Sequence, residues 1–168
     1  GHGHPLTGRL RALGRAPSLG VDLESVMSGD MISQARIALG IQRSLDNVAY
    51  RAEHNTLPST STIPAREALQ WVTIEGARML GQLDRIGTLA AGKQADLVMI
   101  RASDLNMQPV HDPVSSVVFQ TSLANIDSVM VAGQWKKRHG QLLGVDLAPK
   151  LEALRASGRK ITQALGLH

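Results

Sequence analysis

Cysteine is absent from the 168 residues. Disulfides and thiolate chemistry are therefore excluded. Aromatic residues are almost as scarce, with two Trp, one Tyr and one Phe. A base-stacking platform for nucleic acid is hard to build from so few rings. No apolar run approaches the ~20 residues that span a bilayer. No basic-then-apolar secretory leader is present. The expectation is a cytoplasmic protein with no membrane and no nucleic-acid partner.

What remains is an ordinary globular composition. Apolar residues make up 43% of the chain, and the mean hydropathy is −0.05. Such a chain buries a core. The 18 Lys and Arg exceed the 14 Asp and Glu, for a net charge of +4. The cations are dispersed: Arg9, Arg11 and Arg15, then Lys136 to Arg138, then Lys150, Arg155, Arg159 and Lys160. Dispersed charge reads as a solvated basic surface, not a nucleic-acid footprint.

Leu6 to Arg15 fits a short helix stopped at Gly14. Ser18 to Val21 reads as a short buried strand, with Asp22 at its C-terminal end. Asp30 is a plausible N-cap for a helix running to about Tyr50. Ile32, Ala35, Leu39 and Gln42 or Arg43 form its inner face. Glu53 to Thr62 is polar and reads as a loop. Pro64 to Leu80 reads as one helix, with Pro64 in its first turn and Gly81 as its stop. Ala65, Ala68, Leu69, Val72 and Leu80 mark its buried side.

From Asp84 the pattern becomes β. Ile86 to Leu89, Asp96 to Ile100 and Ile126 to Val131 read as short extended segments. Ala132-Gly133 forms a tight turn into Gln134 to Arg138. Val114 to Phe119 suits either a helix or a strand. Pro149 to Leu165 reads as a helix with Leu151, Leu154 and Ile161 on one side. A lone buried strand followed by helices is an uncomfortable α/β domain, because its backbone groups need neighbours. The order reads as if its beginning were missing.

Four segments resemble the amidohydrolase superfamily, in the branch with chlorohydrolases and cytosine deaminase-like aminohydrolases. The first is Pro17-Ser18-Leu19-Gly20-Val21-Asp22, followed by Ser28-Gly29-Asp30-Met31. The second is Glu67-Ala68-Leu69 through Thr73-Ile74-Glu75-Gly76-Ala77-Arg78-Met79-Leu80-Gly81. The third, the most specific, is Ile86-Gly87-Thr88-Leu89 with Ala91-Gly92-Lys93-Gln94-Ala95-Asp96-Leu97-Val98. The fourth is His111-Asp112-Pro113-Val114, followed by Ile126 to Gly133. The resemblance implies an α/β fold: the C-terminal fragment of a (β/α)8 TIM barrel, joined to the C-terminal share of a small β-sandwich. Residues 1–82 would end the barrel, 83–144 would give sandwich strands, and 145–168 a C-terminal helix.

By the same resemblance Asp22 binds a divalent metal, Zn or Fe, and handles a proton. Barrel enzymes carry reacting groups at the C-terminal ends of their strands. From residue chemistry alone, an Asp22 that merely ends a strand or caps a turn is the favoured reading; the family resemblance reverses that. An Asp22 carboxylate turned outward, after a segment that is no strand, would count against the assignment. His2 and His4 form a His-x-His pair, but the family's pair lies on the first barrel strand, so the role is not carried over. His54, His111, His139 and His168 show no ligand spacing. One aspartate cannot hold a metal, so the isolated chain is expected to bind none and to be inactive. The implied function is hydrolysis of non-peptide C–N or related bonds in a small cyclic substrate. The alternative is a non-catalytic interaction module derived from such an enzyme. Unpaired strand edges and bare helix faces lead to the expectation of a homo-oligomer.

Overall fold

The computed structural model describes residues 3–25 and 27–167. Among them are six α-helices: α1 (Thr7–Ala12), α2 (Met31–His54), α3 (Ala65–Trp71), α4 (Ile74–Met79), α5 (Pro113–Gln120) and α6 (Ala148–Ala164). Four strands follow the first four helices: β1 (Leu97–Ile100), β2 (Ile126–Val131), β3 (Gln134–Arg138) and β4 (Gln141–Leu142).

Helix α2 starts where the sequence places it. The Asp30 carboxylate accepts the Ser33 N–H at 2.7 Å. The helix continues past Tyr50 to His54, into the segment expected to be a loop. Arg51, Ala52 and Glu53 are all good helix formers, and cations in the last turn suit the helix dipole. Asn55 then ends it in a left-handed conformation, φ +52°. Ala35, Leu39 and Gln42 are buried, as the periodicity predicts.

The helix expected from Pro64 to Leu80 is two helices. Pro64 stays extended before α3. The break falls at Val72 and Thr73. The Thr73 hydroxyl donates back to the Leu69 carbonyl at 2.8 Å, and three β-branched residues in a row oppose continuous helix. Leu80, expected inside, is 60% exposed, because the break re-aims the second face. Gly81 stops α4 at φ +66°.

The core joins α2, α3 and α5. Ala35, Leu39, Ile63, Ala65, Ala68, Trp71 and Val118 form one buried cluster. Two α2 arginines rivet it: Arg36 Nε donates to the Val118 carbonyl, and Arg43 Nε to that of Ile63, both at 2.9 Å. Burying these carbonyls without donors would cost about 1–3 kcal/mol each.

The sheet is an antiparallel meander in the order β1-β2-β3-β4. Val98 faces Val129, and Met130 faces Trp135. Ala132 (φ +48°) and Gly133 (φ +79°) turn β2 into β3. Two left-handed residues in a two-residue loop match the twist of a hairpin. Asp96 secures the turn by accepting the Ala132 N–H at 2.9 Å. A second left-handed pair, His139 and Gly140, leads into β4, which the sequence did not announce.

Two expected extended segments are not strands. Residues 15–23 form neither helix nor strand. Among the described residues no partner strand lies beside them, and residues 16–23 make no backbone–backbone hydrogen bond. Pro17 is buried and Leu19 packs against the core. Residues 86–88 are bends, and Leu89 lies in neither helix nor strand. Gly87, at φ +92°, lies against α4: a Cβ there would sit 2.6 Å from the Ala77 Cβ. The close approach of Gly87 to α4 explains the glycine and bends the chain out of β geometry.

Candidate active-site aspartate

Asp22 ends the extended segment that leaves α1 and passes the core. Its side chain is exposed, and its backbone is left-handed at φ +64°. Aspartate tolerates this region better than most residues. Among the described residues its carboxylate makes no hydrogen bond and no ion pair. The expected buried strand before it is absent, and the carboxylate faces outward. That geometry does not supply the strand-end placement expected for it.

The neighbouring acidic residues are committed elsewhere. Glu24 lies over Gly29, where a Cβ would meet the Glu24 Oε1 at 2.6 Å. Asp30 caps α2 and accepts the Ser28 hydroxyl at 2.5 Å. Partial burial pushes the Asp30 carboxyl up. Hydrogen bonds from Ser28 and Ser33, with Arg36, outweigh this and leave it below its ordinary value of 3.8. Asp112 caps α5; the Ser115 hydroxyl and backbone N–H hold its carboxyl low as well.

The histidines do not gather. His2 and His168 lie outside the described residues. His4 and His111 are exposed. The His54 ring lies tilted against that of Tyr50, centroids 4.2 Å apart. His139 Nδ1 is 3.7 Å from Asp127. Among the described residues, no three His, Asp or Glu come together to hold a metal.

Sequence reasoning missed the cleft beside α1. It is an open surface groove of about 690 Å³, lined by Arg11, Arg15, Arg66, Asp46 and Glu67, among others. Arg11 bridges to Glu67 at 2.5 Å, tying α1 to α3 across 56 positions of sequence. No local pattern signals a pair so distant.

The amidohydrolase family model matches residues 6–136. The chain belongs to the amidohydrolase family. This amidohydrolase chain is 38% identical to the 8-oxoguanine deaminase of Pseudomonas aeruginosa over 152 residues, covering 90% of this chain and 31% of that protein. It is 42% identical over 74 residues to the 5-methylthioadenosine/S-adenosylhomocysteine deaminase of Teredinibacter turnerae, covering 44% of this chain and 17% of that one. A zinc-bound adenosine deaminase from Xanthomonas campestris superposes with a TM-score of 0.80 at 28% identity, over 92% of this chain and 33% of its own. The atrazine chlorohydrolase TrzN of Arthrobacter aurescens, complexed with zinc, shares the fold at a TM-score of 0.72 and 24% identity, over 90% of this chain and 31% of its own.

The family is therefore the one the four motifs resemble. The mixed α/β architecture matches amidohydrolase structures over most of its length. The chain spans about a third of the length of these relatives. No described helix is long and apolar enough to cross a membrane.

Proposed function

We propose that this amidohydrolase segment is the C-terminal third of a metal-dependent hydrolase of C–N or related bonds in small heteroaromatic substrates. The observation that carries the reading is the 38% identity to an 8-oxoguanine deaminase, sustained over 90% of this chain. Residues 1–82 then close a (β/α)8 barrel, 83–144 give strands of a β-sandwich, and 145–168 form a C-terminal helix.

In this reading Asp22 is the catalytic residue of the segment. Its carboxylate takes a proton from the attacking water and returns it to the leaving nitrogen, which departs as ammonia. The assignment rests on the segment Pro17-Ser18-Leu19-Gly20-Val21-Asp22, which resembles the family's last barrel strand with its closing aspartate. Residues 16–23 carry backbone groups with no partner among the described residues. They suit a strand completed by the rest of the enzyme. The outward position of Asp22 in this chain follows from the same lack of neighbours.

The donor set within the chain does not fit a metal. A catalytic zinc takes about three protein ligands and a water, whereas Asp22 stands alone. The 168 residues by themselves are expected to turn over nothing.

The test is ammonia release in a polypeptide joining this chain to the residues matching the rest of its relatives. Purified with zinc, it should deaminate 8-oxoguanine or S-adenosylhomocysteine. Asp22→Asn should cut kcat by about 10²–10⁴-fold. Full activity in the Asp22→Asn enzyme removes Asp22 from the mechanism. Tight stoichiometric zinc on the 168-residue chain alone overturns the incomplete donor set. Failure of the joined protein to hydrolyse any such amine or chloride would favour the non-catalytic interaction module.

A further inference from the structure

Trp71 closes α3 and is 0% exposed. Among the described residues its indole N–H has no hydrogen-bond partner. A buried indole N–H usually finds an acceptor, and an orphaned one calls for an explanation. The side chains clustered with Trp71, those of Ala35, Leu39, Ile63, Ala65, Ala68 and Val118, are all aliphatic. A buried water needs two to four polar partners, so an aliphatic lining does not hold one. The Ile63 and Val118 carbonyls of this cluster already accept from Arg43 and Arg36.

The segment that ends in Asp22 runs past the same core. Pro17 is buried, and Leu19 packs against the cluster that holds Trp71. The Ser18 hydroxyl donates to the Met79 sulfur of α4 at 3.0 Å. Two successive residues therefore tie the segment to the core around α3 and to the far end of α4. No carbonyl of residues 16–23 accepts a hydrogen bond among the described residues. An unpaired donor at the end of α3 and a run of unpaired acceptors thus lie against one core. Pairing them satisfies the buried donor.

We propose that Trp71 is a positioning residue for Asp22. In the complete enzyme its indole N–H donates to a main-chain carbonyl of residues 17–21 and fixes the segment that presents the aspartate. The inference rests on the assignment of Asp22 made above. A carboxylate that moves a proton must stay within about 2.6–3.2 Å of its partner atom. A displacement of about 1 Å costs on the order of 10²-fold in rate. Trp71 therefore acts through the backbone, without touching substrate.

The test uses the joined polypeptide described above, beside the 168-residue protein. A crystal structure of the joined polypeptide should place Trp71 Nε1 about 2.7–3.2 Å from a carbonyl oxygen of residues 17–21. The indole N–H proton resonance, assigned by its loss in Trp71→Phe, should move downfield from the 168-residue protein to the joined one. Trp71→Phe should cut kcat by about 10–100-fold with KM within about twofold. Benzothienylalanine at position 71 keeps the ring shape without the N–H, and should do the same even where phenylalanine unsettles the core. In an Asp22→Asn background neither change should cost anything further, because both act through the carboxylate. An indole nitrogen bonded to water, or to an acceptor outside residues 17–21, overturns the inference. So does a benzothienyl enzyme with the parent's kcat, or one whose loss is undiminished in the Asp22→Asn background. An inactive parent, or a fully active Asp22→Asn enzyme, is instead the failure of the hydrolase reading, and takes the positioning role with it.

Discussion

The carboxamide oxygen of Gln42 accepts the Thr7 hydroxyl at 2.7 Å and the Gly8 N–H at 2.9 Å. Its amide nitrogen donates to Asp46 at 2.7 Å, and Asp46 in turn accepts the Thr62 hydroxyl at 2.5 Å. A buried side chain 34 positions away thus seats α1, and with it the segment that carries Asp22. Gly8 is where the fit is tightest, since a Cβ there would come within 2.5 Å of the Gln42 amide.

Gln42→Leu removes this anchor while keeping the volume. It leaves the Thr7 hydroxyl and the Gly8 N–H without a partner, at a cost of about 1–3 kcal/mol. Urea denaturation should show the loss, and amide exchange in α1 should quicken more than in α3. Unchanged exchange in α1 would mean that Arg11–Glu67 alone holds the helix.

Gly87→Ala and Gly92→Ala separate backbone strain from crowding. Both positions have left-handed φ, +92° and +85°. Only Gly87 also meets a neighbour, the Ala77 Cβ at 2.6 Å and the Ile74 Cα at 3.2 Å. Each alanine should cost about 1–2 kcal/mol for its conformation. Gly87→Ala should cost a further ~1–3 kcal/mol for overpacking against α4. Equal Tm losses in the two variants would show that the contact with α4 yields freely.

Asp22→Gly and Asp22→Val read the backbone at the proposed catalytic residue. Glycine adopts φ +64° freely, so Tm should hold or rise. Valine, branched at Cβ, should cost about 1–2 kcal/mol or more. Valine tolerated as well as glycine would show that the left-handed conformation is not maintained in solution.

Acid should loosen the two capped helices. The Asp30 and Asp112 carboxyls lie below their ordinary 3.8. A depressed folded value makes the charged form stabilising. That contribution is complete above the unfolded value and is lost as pH falls through 3.8 toward the lower folded value. Asp30→Asn keeps a good cap but cannot titrate. Its stability should therefore vary less with pH between about 5 and 2 than that of the parent. A parallel pH profile for the two proteins would show that the Asp30 charge is not linked to folding.

Much of the architecture was legible from the chain because its signals are local. Asp30 announces the start of α2, Gly81 the end of α4, and Ala132-Gly133 the turn between β2 and β3. Ala35, Leu39, Ala65 and Ala68 are buried where helical periodicity puts them. The order of four short motifs was enough to indicate the amidohydrolase family. The candidate site was less legible, because a free carboxylate on an exposed backbone has no local signature.

Tertiary structure decided what depends on neighbours. Residues 18–21 have the composition of a strand, yet backbone groups make a strand only when another strand pairs with them. Residues 86–89 are equally apolar, but the contact of Gly87 with Ala77 bends them. The break at Thr73, the bridge from Arg11 to Glu67 and the anchor at Gln42 join groups that sequence keeps apart. Composition and periodicity specify which face of an element is apolar. Which partner covers that face, and whether any does, is settled only when distant parts of the chain meet.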